Sequence, residues 1–159
     1  MAKRLSLKVD YFEDYYLLSI VSQLKDYRFA YFINETIHID LKKYKDLQVS
    51  GRNGLYSWYY FSGGDDFPNY YLIGNNHTQG KIIPSHKGID YYLLIKEEFE
   101  EKRIEEIASD LRKIKGVLGV FNTEMSSLRN LDSLLESVEL HELEEIIRPA
   151  KKRNGRLTK

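Results

Sequence analysis

Cysteine is absent from this chain, proline occurs only three times, and neither sign of charge is in excess. Each shortage excludes something. Without cysteine there is no disulfide framework, no thiolate nucleophile and no cysteine-type zinc site. The 24 basic and 24 acidic residues cancel, so no global field draws the chain to nucleic acid or anionic lipid, and any electrostatic role has to come from local segregation. Long apolar runs are also missing: no uncharged stretch approaches the roughly 20 residues that span a bilayer. The N-terminal Met1-Ala2-Lys3-Arg4-Leu5 is basic, but Lys8, Asp10, Glu13 and Asp14 come next, so no apolar signal-peptide core is expected. These absences predict a cytoplasmic protein that stays out of the membrane. A chain of 159 residues can bury roughly 70% of its unfolded surface in one core, without staples.

What the chain has in abundance is tyrosine: 13, beside seven Phe and a single Trp. Tyrosine suits strands, where a half-buried ring keeps its hydroxyl wet. The pattern reads as a Tyr-rich sheet under a thin helical layer, with a sticky aromatic surface for a partner as the sharper alternative.

Leu5, Leu7 and Val9 alternate with polar residues, which predicts a first strand. Tyr15–Val21 is a continuous apolar run that fits either a strand or the first turns of a helix, and Ser22 can cap the segment after it. From Leu24 the apolar positions recur at steps of three and four, predicting a buried helix to about Thr36. Between residues 50 and 80, Gly, Asn and Pro punctuate two aromatic runs, with Tyr56, Trp58 and Tyr60 on one strand face. Tyr70-Tyr71-Leu72-Ile73 returns to complete a hairpin. A third strand comes next, with Ile89, Tyr91, Leu93 and Ile95 on one face and Asp90, Tyr92 and Leu94 on the other. Being apolar on both faces, it reads as a central strand.

Ile104, Ile107, Ala108, Leu111 and Ile114 form one helical stripe, led by acids and trailed by Arg112, Lys113 and Lys115, in line with the helix dipole. Gly116 stops this helix, and Val117–Phe121 is a last short strand. The predicted fold is α+β: a two-layer sandwich with a mainly antiparallel sheet of about five strands, in the order strand, helix, three-strand meander, helix, strand. The core domain spans residues 1–125. Residues 126–147 are an acidic amphipathic helical segment. Residues 132–147 hold six acids and no Lys or Arg, whereas 148–159 hold six bases and no acid. That last stretch is expected to be a mobile basic tail. A sheet with helices on one side leaves its other face bare, so Leu128–Ile147 is expected either to pack there or to carry a partner-binding stripe.

The segment Ile83-Pro84-Ser85-His86-Lys87-Gly88-Ile89-Asp90-Tyr91 resembles the signature of a bacterial family of uncharacterised proteins named for its motif, the IPExxxVDY family. Leu24–Asn34 resembles that family's helical stretch, with its Asp-Tyr-Arg, aromatic and Asn pattern, and Gly116-Val117-Leu118 its segment after the second helix. The resemblance covers about residues 5–135. Ser85 stands where the family name has Glu, which favours a structural role for the loop. The resemblance implies no catalytic or ligand residues.

His86 and Asp90, with His77 across the preceding hairpin, are the one candidate proton-transfer or metal site. Against it, Asp90 can accept bonds from loop backbone while both His are solvated. No His-Glu-x-x-His, His-x-His or dense acid cluster points to a metal. Asp65-Asp66 has the turn-bonding role usual for its type, with too few ligands for calcium. Gly51-Arg52-Asn53-Gly54 lacks the ending of a phosphate loop, and no serine has a Gly-x-Ser-x-Gly setting. Asp26-Tyr27-Arg28 can place a buried ion pair or a bonded Tyr hydroxyl under the sheet, and with Asn34 they are expected to satisfy buried polar groups and fix helix register.

No catalytic residue, metal or cofactor is therefore expected. The reading is a noncatalytic protein-binding or adaptor module whose signature residues are Ile83, Pro84, Ser85, Ile89, Asp90 and Tyr91. The alternative is RNA association through exposed rings of Tyr56, Trp58 and Tyr60 and the tail bases Lys151, Lys152, Arg153 and Arg156. The basic-Gly-aromatic-Gly pattern of an RNA-recognition motif is absent. A third reading is an enzyme using His86 and Asp90.

Overall fold

A computed structural model describes residues 15–51, 54–64, 68–75, 80–86, 88–96, 101–128 and 131–148. The strand expected at Leu5–Val9, the Asp65-Asp66 turn, His77 and the tail after Arg148 lie outside them.

The ambiguous run is a strand, β1 (Tyr15–Ser22). Helix α1 (Asp26–Ile37) comes next and buries Phe29, Ala30 and Ile33. Ser22 does not cap it. Its hydroxyl instead accepts the Leu24 N–H (3.1 Å) and donates to the Gly116 carbonyl (3.0 Å), joining the strand end to a distant turn. Four strands succeed the helix: β2 (Lys42–Lys43), β3 (Leu47–Gln48), β4 (Leu55–Tyr56) and β5 (Trp58–Ser62). Then come β6 (Asn69–Gly74), β7 (Tyr91–Lys96), helix α2 (Glu101–Arg112), β8 (Val117–Thr123) and helix α3 (Leu131–Glu142), which runs into a single wider turn, Leu143–Ile147.

The fold is α+β, as the pattern predicts. Among the described residues six strands form an antiparallel sheet in the order β2-β5-β6-β7-β1-β8, with β3 and β4 paired separately. The hairpin β5–β6 pairs Tyr60 with Tyr71, and β7 lies between β6 and β1. Gly116 ends the α2 turn at φ 101°, a conformation that suits glycine, and a Cβ there would lie 2.8 Å from Leu24.

Both sheet faces are covered. On one, α1 and α2 pack Phe29, Ile33, Ile104, Ile107 and Leu111 against Leu18, Ile20, Leu72, Leu93 and Ile95. On the other, α3 packs Leu131, Leu134, Leu135 and Val138 against Leu17, Tyr71, Tyr92 and Leu94. Of the two roles open to Leu128–Ile147, packing on the sheet is the one found, so the helical extension adds a third layer to the two expected.

Leu135 is fully buried under this layer. Leu135→Ala is expected to lower the unfolding free energy by about 2–5 kcal/mol in urea titration. A loss below about 0.5 kcal/mol, the range of ordinary surface substitutions, would show that α3 is not packed on the sheet.

Candidate functional site

The signature segment lies between β6 and β7, and its centre is a residue from outside it. Asn75 is fully buried just after β6. Its side-chain Oδ1 accepts the Ile82 N–H (2.7 Å), and its Nδ2 donates to the carbonyls of Ile89 (2.8 Å) and His86 (3.4 Å). Its own backbone N–H donates to the Asp90 carbonyl at 2.8 Å. The loop folds around this amide as two successive turns, His86 N–H to Ile83 carbonyl (2.9 Å) and Ile89 N–H to His86 carbonyl (3.2 Å).

Of the remaining signature residues, Asp90 and Tyr91 fasten strand ends. Asp90 Oδ2 accepts the Ser22 N–H at 2.9 Å, and the Asp90 N–H donates to the Ile20 carbonyl at 2.8 Å. The Tyr91 hydroxyl donates to the Leu24 carbonyl at 2.6 Å. Ile83 is buried and Ile89 half-buried, while Pro84 and Ser85 are exposed. His86 Nδ1 lies 3.0 Å from the Tyr92 hydroxyl. The side chains of His86 and Asp90 thus serve different partners, and the loop is built as a clasp. Among the described residues no group of three or more His, Asp or Glu side chains is arranged to hold a metal.

The aromatic contact surface requires a correction. Tyr56, Trp58 and Tyr60 are all buried, so none offers an open face to a base. Trp58 and Tyr60 stack on each other (5.5 Å, 12°), and His141 of α3 meets Trp58 edge to face at 4.6 Å. The cause is chemical: α3 supplies both apolar cover and acceptors for the hydroxyls beneath it. Tyr60 and Tyr71 donate to the two oxygens of Glu142 (2.8 and 2.7 Å), and Tyr15 donates to Glu139 Oε2 at 2.6 Å. Tyr56 donates to the Gly80 carbonyl at 3.1 Å. The tail bases Lys151, Lys152, Arg153 and Arg156 lie outside the described residues.

Beside this contact an open cleft of about 500 Å³ runs between the Lys45–Gly51 segment and the end of α3. Two of its polar groups are already engaged. His141 Nε2 donates to the Lys45 carbonyl at 2.8 Å, because a carbonyl only accepts. The Ser137 hydroxyl donates to the Ser133 carbonyl (2.7 Å) and accepts the Ser50 N–H (3.0 Å). A serine bonded in this way is positioned to hold helix to loop.

On the opposite layer, Asp26 Oδ2 accepts from the Tyr59 hydroxyl (3.0 Å) and Lys43 (3.2 Å). Asn34 clamps Leu41, accepting its N–H at 2.8 Å and donating to its carbonyl at 3.3 Å. Arg28 departs from the expected buried role: it is exposed and lies over the Phe32 ring (5.7 Å), because α1 turns it away from the sheet. Tyr27 and Tyr31, one turn apart, are 60% and 58% exposed.

Sequence reasoning missed Asn75, Glu139, Glu142 and His141. For Glu139 and Glu142 a signal existed: they continue the spacing of Leu135 and Val138 by steps of three and four, at the border of the apolar stripe. No family model matches this chain, and no curated protein matches it.

Removing the Asn75 amide leaves a buried N–H without a partner, so Asn75→Ala is expected to cost at least about 1–3 kcal/mol in chemical denaturation. A near-neutral result would remove the clasp. A second expectation concerns pH. Burial, reinforced by Glu142, raises the pKa of Tyr60 and Tyr71 above the ordinary 10.0, and burial raises those of Tyr91 and Tyr92 as well. The unfolded chain therefore ionises these tyrosines first. Their contribution to stability is complete below pH 10.0 and is lost as pH rises beyond it. Absorbance titration at 295 nm is expected to show these phenols silent until alkaline unfolding; reversible titration near pH 10.0 in the folded state would contradict the burial.

Proposed function

We propose that this protein is a noncatalytic cytoplasmic protein-binding module, a member of the IPExxxVDY family in which the signature loop serves the fold. One observation carries the reading. Tyr27 and Tyr31 stand more than half exposed on α1, with Arg28 beside them, whereas most of the other aromatic residues described are buried. Tyr and Arg are the residue types that dominate interface hot spots, because each combines apolar area with directed polar atoms. Among the described residues, the polar groups weighed for chemistry have structural partners: Asp90 a backbone N–H, Ser137 backbone on both sides, His86 the Tyr92 hydroxyl. The described residues include no helix long and apolar enough to cross a membrane.

The RNA reading now lacks its stacking platform and rests on the tail bases alone. A pull-down with nuclease distinguishes the two. The expected outcome is a protein partner that survives nuclease and binds Tyr27→Ala/Tyr31→Ala at least roughly tenfold more weakly. Partners that vanish with nuclease yet bind the double variant fully would replace this reading with the RNA one.

A further inference from the structure

Among the described residues β8 is the outermost strand on its side of the sheet. The direction of its backbone groups is set by its neighbour. The Ile20 carbonyl accepts the Asp90 N–H and the Ser22 N–H points to Asp90, so the even-numbered residues of β1 face β7. The alternate residues Ser19 and Leu17 face β8, where the register pairs them with Phe121 and Thr123. The N–H and C=O of one residue share a side in an antiparallel ladder. Those of Val120 and Asn122 therefore point away from the sheet.

Free edges of this kind are usually blunted by charge or proline. Val117–Thr123 has neither, and it exposes Leu118 (65%) and Phe121 (54%). Its register slips only at its start, beyond Val21, which leaves 119–123 regular. Among the described residues α2 engages this edge at two places: Asn122 Nδ2 donates to Glu105 Oε2 at 3.2 Å, a side-chain contact that leaves the Asn122 backbone groups free to pair, and the backbone acceptor itself is met by Arg112. Arg112 donates from both Nε (3.1 Å) and Nη2 (2.8 Å) to the Val120 carbonyl.

We propose that β8 is a self-pairing edge for a second copy of this chain, and that Arg112 is its lock. A two-fold axis through Phe121 sets Val120 of each copy opposite Asn122 of the other. Each outward N–H then meets an outward carbonyl, giving four hydrogen bonds. Phe121 meets its counterpart on the same face, an aromatic cross-strand pair of the kind that stabilises antiparallel sheets. With no charge in the segment, no like charges oppose each other. Two of the four bonds accept at the Val120 carbonyl, the oxygen that Arg112 holds. Pairing and the Arg112 bonds therefore compete.

The test is sedimentation velocity across a concentration series, with melting curves to establish that each variant is folded. Arg112→Ala is expected to dimerise at least ten times more tightly than the unaltered chain, and Arg112→Lys, which retains charge but loses the two-donor fork, to fall between them. Adding Phe121→Lys to Arg112→Ala is expected to restore the monomer, since this residue is exposed in the single copy. The proposal is overturned if Arg112→Ala associates no more tightly than the unaltered chain, or if its dimer survives Phe121→Lys.

Discussion

A strand that is apolar on both faces sets the conditions for everything around it. In β7, Tyr91, Leu93 and Ile95 point one way and Tyr92 and Leu94 the other, and all five are buried. Such a strand cannot lie at an edge or under a single layer of helices, because either would leave large side chains in water. β6 and β1 flank it, α1 and α2 close one side, and α3 closes the other. The acidic C-terminal helix is therefore integral to the fold.

The second condition is polar. Tyrosines carry hydroxyls into the sheet's covered face, and each needs a partner there. α3 meets this by turning Glu139 and Glu142 inward while its remaining acids stay at the surface or half-buried. The same requirement explains Asn75. A loop that crosses from β6 to β7 against the core brings buried N–H and C=O groups with it, and one amide with both donors and an acceptor answers three of them. The turns of Ile83–Asp90 are thus fixed from one buried side chain, and Asp90 ties their end to β1.

The legible elements were those with a strong period: the α2 stripe, the β5–β6 hairpin and the two-faced β7. β1 was undecidable from its own residues, since eight mostly apolar positions carry no period, and its two neighbours decide it. The two-residue strands β2 and β3 have no local pattern and exist only through their pairing, whereas β4 continues the alternation of β5 and is set apart by pairing with β3. His86 and Asp90 are close in sequence yet not joined in space, because the turns between them send one to Tyr92 and the other to the Ser22 N–H, in keeping with the structural reading of Asp90. Alternation correctly put Tyr56, Trp58 and Tyr60 on one face, but it cannot say whether that face is wet. Covering it required α3 to return from beyond β8, a contact across some 80 residues that local patterning does not encode.

The chain's single tryptophan lies where α3 meets the sheet, with its indole N–H buried and without a hydrogen-bond partner among the described residues. Its ring is pressed against a histidine of the helix. The molecule thus contains its own optical gauge. An indole so dry emits at short wavelength, and lifting α3 hydrates its N–H and moves the emission to the red. Docking of the third layer can be followed in the unlabelled protein, separately from the melting of the layer on the other face.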